Sequence, residues 1–200
     1  MKPIYAELIE FIQKKGGYAR STELIKAGFY KAVIYSAMKE GHITRVKNGL
    51  YGLADIPDIS HPDLVTASLT IPKGIICLVT ALSFYEVTDE IPRSIDVAVP
   101  AGWKVQPVED LPIRVYHFSQ VTWKEGVEVH KLDKHEIKIY SLAKTIADCF
   151  KFRNRIGVDV ARSALKNAFE QKKVSHQEIM KYAKICRVTN VIKPILETLL

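Results

Sequence analysis

The sequence predicts an α+β fold: a small helical module closed by a β-hairpin, then a mixed β-sheet domain that ends in a helical bundle. Three observations predict it. Over residues 1–53, three short amphipathic stretches separated by glycines lead into a hairpin signal. Between residues 75 and 140 the apolar runs become short and several alternate with polar residues, as half-buried strands do. After residue 141 the apolar spacing lengthens to that of helices.

Each element has a local reason. Residues 3–14 carry Ile4, Leu8, Ile9, Phe11 and Ile12 at helical spacing, with Pro3 suited to the first turn and Gly16-Gly17 to the stop. Ser21 is the expected cap of a second helix over 22–27, which Gly28 ends. A third helix is expected over 29–40, closed by Gly41. Runs rich in β-branched and aromatic residues at 43–46 and 50–53 flank Asn48-Gly49, a dipeptide that accepts the positive φ angles of a type I′ turn. Three helices followed by a basic hairpin is the order of a winged helix-turn-helix, expected here as a self-contained domain over residues 1–57.

The third helix would be the recognition helix. Ile34, Ala37 and Met38 share one face and should pack inward, whereas Lys31, Ala32, Tyr35, Ser36 and Lys39 project from the other. Lys31 and Lys39 suit phosphates, and Tyr35 and Ser36 suit base edges or sugar. Arg45, Lys47 and Asn48 extend the surface onto the wing, and Arg20 reaches the backbone from just before the second helix.

Residues 54–72 hold three prolines and three aspartates and read as a connector entering a short helix at 63–69, with the domain boundary near Asp58. The second domain, 58–200, starts with a strand at 75–79 and a helix at 81–87. Strands are expected at 95–99, 113–118, 127–131 and 136–140. Helices follow at 142–153, capped by Ser141, and at 158–170 after Gly157. Another opens on the capping box Ser175 to Glu178, and the last, over 187–199, is broken or kinked by Pro194. The strands need the 142–153 helix to cover an apolar face, so this region should fold as one unit.

Composition narrows the function. The chain has 200 residues, is 48% apolar and carries a net charge of +7, which favours polyanionic partners. The charge is uneven: +4 over residues 1–55 (nine Lys/Arg, five Asp/Glu), −5 over 56–133 (six, eleven) and +8 over 134–200 (fourteen, six). Cys77, Cys149 and Cys186 are far apart and sit among apolar neighbours, the pattern of reduced core cysteines. Charged residues stand where a signal peptide needs an apolar core, and no apolar run approaches ~18 residues, so a cytoplasmic protein without a membrane segment is expected.

Catalytic signatures are sparse. The six histidines are scattered, without cysteines or carboxylates at metal-ligand spacing, and neither a Gly-rich phosphate loop nor a Gly-x-Ser-x-Gly elbow occurs. No cofactor or metal and no enzymatic activity is expected. The one alternative constellation is the carboxylate pair Asp96 and Glu136 with Lys138, an arrangement that can hold Mg²⁺ on the carboxylates and activate water for phosphodiester cleavage.

Thr145 and Asp148 fall on one helix face at i and i+3, with Lys151, Arg153 and Arg155 at its C-terminal end. This predicts either a buried Thr–Asp hydrogen bond with an arginine on Asp148, or a basic patch for a toxin or RNA.

The module ending in residues 44–53, the strand 95–100, the stretch 139–153 with its Thr145-x-x-Asp148 and trailing Arg153, and Arg155-Ile-Gly157 with the 161–168 helix are together similar to the AbiEi family. That family is the antitoxin component of type IV toxin–antitoxin systems, and the resemblance covers nearly the whole chain. It implies an autorepressor that binds inverted repeats of double-stranded DNA in its own promoter. Its C-terminal domain would neutralise a nucleotidyltransferase-like toxin, with direct contact left open. A stand-alone winged-helix regulator with a ligand-sensing C-terminal domain is the alternative, ahead of the nuclease.

Overall fold

The computed structural model describes residues 2–55, 60–106 and 111–199. Its first part contains α1 (Pro3–Lys14), β1 (Tyr18–Arg20), α2 (Ser21–Lys26), α3 (Lys31–Lys39), β2 (Ile43–Lys47) and β3 (Leu50–Leu53). The three strands form an antiparallel sheet in the order β1-β3-β2. Tyr5, Leu8 and Ile12 of α1 pack with Leu24, Phe29, Ile34, Ala37 and Ile43 in a closed core.

Local details differ from the sequence expectation for identifiable reasons. β1 has no alternating pattern in three residues; it forms because Tyr18–Arg20 pairs with β3. Ser21 is the first helical residue of α2 and not its cap. Glu23 accepts the Arg20 backbone N–H at 2.8 Å instead. The Asn48-Gly49 turn is not type I′, which needs positive φ at both central residues. Only Gly49 has it (φ 77), and a register shift between Arg45 and Lys47 absorbs the change in twist.

The remainder comprises α4 (Pro62–Thr70), β4 (Ile75–Ile76), α5 (Leu78–Phe84), β5 (Ile95–Pro100), β6 (Ile113–Phe118) and α6 (Gln120–Lys124). Then come β7 (Val127–Leu132), β8 (His135–Tyr140), α7 (Leu142–Lys151), α8 (Arg153–Ile156), α9 (Val158–Glu170), α10 (His176–Cys186) and α11 (Thr189–Leu199). The strands make a five-stranded mixed sheet, β6-β5-β4-β8-β7. β5 with β6 and β4 with β8 are parallel, while the other two pairs are antiparallel. The molecule is thus α+β, with two sheets and eleven helices among the described residues. None of these helices is long and apolar enough to cross a membrane.

Here too some boundaries shift. The 75–79 strand shrinks to two residues because Cys77 becomes the residue before α5, its N–H held by the Asp96 carbonyl. The 142–153 helix ends at Lys151, and Ser141 makes no side-chain cap bond. Pro194 lies inside α11, which continues to Leu199. The expected domain boundary near Asp58 lies outside the described residues.

Each face of the large sheet has its own core. Ile137 and Ile139 of β8 and Val97 and Val99 of β5 pack under Leu64, Val65, Ala67 and Ile71 at α4. Tyr18 and Leu50, from β1 and β3, enter this same cluster, so the N-terminal part is not self-contained. Polar contacts follow the apolar ones. Tyr18 Oη lies 2.9 Å from Thr66 Oγ1, and His135 Nε2 donates to the Gly16 carbonyl at 2.9 Å. Gly16 is required there: its φ is 85°, and an added Cβ would come within 2.6 Å of His135 Nε2.

The opposite face is covered by α5 and α7, with α9, α10 and α11 stacked behind them. All of α7 except Lys151 is buried, including Lys144, Thr145 and Asp148. Cys77, Cys149 and Cys186 are all free and buried. Lys144 pairs with Asp148 one turn on, and its ammonium lies 4.1 Å from the Tyr140 ring centroid. Cys186 Sγ donates to Asp148 Oδ1 at 3.2 Å.

Breaking this pair leaves one charge buried without a partner, which costs about 3–5 kcal/mol. Asp148→Ala should therefore lower the unfolding free energy by about that amount. Lys144→Met combined with Asp148→Leu should recover most of it. Denaturant unfolding of the three proteins checks this; equal losses in the single and double variants would refute it.

Candidate nucleic-acid interface

α2, α3 and the β2–β3 hairpin enclose a groove of about 370 Å³. From α3 it takes Lys31, Ile34, Tyr35 and Met38, a stripe at i, i+3, i+4 and i+7. Arg45 enters from β2. Buried Ile34 and half-buried Met38 form apolar parts of the lining, while Tyr35 is 65% exposed. Of the expected inward face of α3, Ala37 alone is buried wholly in the module's core without also lining this groove.

The charges around the groove are unbalanced. Glu10 pairs with Lys14 at 2.6 Å and Glu23 with Lys15 at 2.7 Å. The Lys15 bond and the Arg20 backbone N–H hold the Glu23 carboxyl below the usual range. Glu40 accepts from Tyr5 Oη at 2.8 Å, which lowers its pKa likewise. Among the described residues, Lys26, Lys31, Lys39 and Arg45 make no ion pair. Glu10, Glu23 and Glu40 are thus occupied elsewhere, and Lys26, Lys31, Lys39 and Arg45 face solvent.

The structure brings Lys31, Tyr35 and Arg45 together and separates the other expected DNA residues from them. Lys39 is exposed at the far end of α3, Ser36 is half-buried beside the groove residues, and Asn48 is exposed in the turn. Arg20 and Lys47 go elsewhere. Arg20 Nη2 donates to the Leu69 carbonyl at 3.1 Å and Lys47 Nζ to the Thr70 carbonyl at 3.0 Å. Both cations therefore satisfy the C-terminal end of α4, where positive charge suits the helix dipole. No local sequence signal distinguishes them from Arg45, because α4 is distant in the chain. Sequence reasoning also passed over Ile25, 47% exposed in the groove, and Tyr30, 78% exposed before α3. The signal available for Tyr30 was an aromatic residue directly preceding a helix.

The C-terminal candidates are divided in the same way. Thr145 and Asp148 belong to the core, and they do not bond to each other. Thr145 Oγ1 donates to the Tyr140 carbonyl at 3.1 Å, and Asp148 is taken by Lys144, not by an arginine. Burial pushes the Asp148 carboxyl up while Lys144 opposes it. Arg153 Nη1 donates to the Phe150 carbonyl at 2.9 Å, and the Arg155 guanidinium lies 4.3 Å from the Tyr116 ring centroid. Lys151 is exposed.

The nuclease constellation is not assembled. Asp96 is buried on β5, whereas Glu136 and Lys138 are exposed on β8. Through β4, Val97 stands level with Ile139, so Asp96 is level with Tyr140, two strands away. Glu136 lies a further four residues along, about 13 Å at strand rise. Among the described residues, no three His, Cys, Asp or Glu side chains gather as a metal site.

No protein-family model matches the chain, nor does any curated protein. Among solved structures, the crystal structure of the RV2827C protein from Mycobacterium tuberculosis is similar, with a TM-score of 0.64 over 92% of this chain and 72% of that one. The two share a fold. Their sequence identity is 8%, so the likeness extends to architecture alone.

Asp96 yields a pH prediction. Burial raises its pKa from 3.8 to about 6, against the pull of Arg114 and the N–H groups of Thr80 and Val79. The folded state then holds the proton more tightly than the unfolded one. The stabilisation is complete below about pH 4 and is lost as pH rises through about 6. Asp96→Asn should flatten this part of the stability profile and add about 1–3 kcal/mol at pH 7.5. Thermal melts from pH 4 to 8 measure it; a parallel loss with pH in both proteins would exclude Asp96 as the source.

Proposed function

We propose that this chain is a DNA-binding transcriptional autorepressor. In this reading the N-terminal part acts as a winged helix-turn-helix, with α3 as the recognition helix and the β2–β3 hairpin as the wing. One observation carries it: Lys31, Tyr35 and Arg45 converge on a single groove whose cations lack carboxylate partners. An exposed helix flanked by unneutralised cations fits the major groove and its bordering phosphates. Tyr35, at mid-helix, is the base reader, and Lys31, Lys39 and Arg45 contact phosphates. Arg20 and Lys47 hold the module on α4 and fix the direction in which it presents DNA.

The AbiEi resemblance carries the second half of the proposal. The chain acts in the cytoplasm as an antitoxin against a nucleotidyltransferase-like toxin encoded beside it, and its operator is an inverted repeat in its own promoter.

Binding of the full chain to its promoter fragment, followed by fluorescence anisotropy at several salt concentrations, tests the DNA half. Lys31→Ala and Arg45→Ala should each flatten the log–log salt slope by about one unit. Unchanged slopes in both would show that DNA binds elsewhere. Tyr35→Ala should cost about 1–3 kcal/mol on the promoter and much less on random DNA. Equal losses on both would make Tyr35 a backbone contact. For the antitoxin half, Lys31→Ala with Arg45→Ala should still rescue growth on co-expression with the neighbouring toxin while releasing repression. Failure of the unmodified chain to rescue growth would remove the antitoxin role.

A further inference from the structure

A cleft in the second part of the chain shares no lining residue with the groove of α3. It has a volume of about 660 Å³ and opens where α6, the end of α7 and the end of α10 meet. Lys151, Arg153 and Arg187 line it, and no carboxylate does. Asp148, whose bond partner Cys186 lines the cleft, is itself buried against Lys144.

Helix dipoles explain part of this arrangement, since Lys151 and Arg153 lie at the C-terminal end of α7. They do not explain the rest. Arg153 gives one bond to the Phe150 carbonyl and keeps other donors of its fork. Arg187 occupies the left-handed position after α10, with φ 60° and ψ 42°, where a glycine is the unstrained choice. An arginine there accepts backbone strain and brings a third cation to a cleft that already holds two. Beside the cations stands an apolar wall of Val121, Ile185 and Val188, and Val121 is 69% exposed.

We propose that this cleft binds a nucleotide, with its phosphates on Lys151, Arg153 and Arg187 and its base and sugar on the apolar wall. Guanidinium forks match phosphate oxygens bidentately. Three cations suit more than one phosphate. The volume falls within the ~300–1,000 Å³ of small-ligand sites and far exceeds what a lone phosphate fills. A C-terminal domain that reads a nucleotide would supply this DNA-binding protein with an input separate from its operator.

Titration calorimetry on the full chain tests the proposal, with ADP as probe and pyrophosphate and adenosine as controls at matched ionic strength. ADP should bind more tightly than either control. Arg153→Gln and Arg187→Gly should each weaken it at least tenfold, and Lys31→Ala should leave it unchanged. Arg187→Gly removes the cation while relieving the positive φ, so its melting temperature should equal or exceed that of the parent. No ADP binding, adenosine or pyrophosphate binding as tightly as ADP, or full ADP affinity in both cleft variants would overturn the nucleotide site. So would ADP affinity that is lost with Lys31 instead. Loss of duplex DNA binding in the cleft variants would assign the cleft to nucleic acid and equally overturn it.

Discussion

Nine of the ten residues of α7 are buried, and the arrangement of the second part of the chain follows from that burial. A helix enclosed on all sides must find neighbours for every face. α7 rests on the mixed sheet and α5 with one side, and α9, α10 and α11 cover the other. Its two buried ionisable side chains, Lys144 and Asp148, are four residues apart, which on a helix makes them neighbours, so they pair within α7 itself. Tyr140 and Cys186 then complete the shell around the pair. An apolar pair of the same volume would fill that space at no electrostatic cost. The ionic pair, by contrast, can be satisfied only when α10 and β8 are in place around α7.

The sheet face opposite α7 sets where the N-terminal part can sit. α4 covers that face and leaves its C-terminal carbonyls toward β1 and the β2–β3 hairpin. Apolar burial of Tyr18 and Leu50 supplies the non-directional part of the docking. The bonds from Arg20 and Lys47 to the last carbonyls of α4 supply orientation. Arg20 and Lys47 are thus anchored to α4, and the unpaired cations Lys26, Lys31, Lys39 and Arg45 are left on α2, α3 and β2.

The uneven charge along the chain thus resolves into two basic sites with different shapes. The groove beside α3 presents a protruding helix and suits a large concave partner. The cleft at α6, α7 and α10 is recessed, with cations and an apolar wall facing one space. The acidic middle of the chain contributes the sheet between them. A protein with one site of each kind can couple an extended ligand to a small one only through the packed body that joins them, and α4 and the mixed sheet are that body.

Sequence by itself determined the elements whose causes are local. α1 and α9 span their expected residues, and Ser175 with Glu178 opens α10 as expected, because proline at the first turn, glycine stops and a capping box act within one turn of helix. Four strands of the large sheet, β5 to β8, came through to within a residue at each end, since alternation is also local, whereas β1 and the short β4 depend on their partners. Asn48-Gly49 gave the hairpin but not its turn type, because the bulge at Val46 depends on pairing with β3. Lys31, Tyr35 and Arg45 were legible as one surface, for helix periodicity and an adjacent hairpin suffice to bring them together. Tertiary structure alone decided the rest. It turned Arg20 and Lys47 onto α4, buried Asp148 with Lys144 and Thr145, and kept Asp96 far from Glu136. For Arg20, Lys47 and Asp96 the deciding neighbours lie on other elements, which no pattern within one element records; Lys144, by contrast, stands one turn from Asp148 on α7 itself, and what other elements decided there is that the pair is buried.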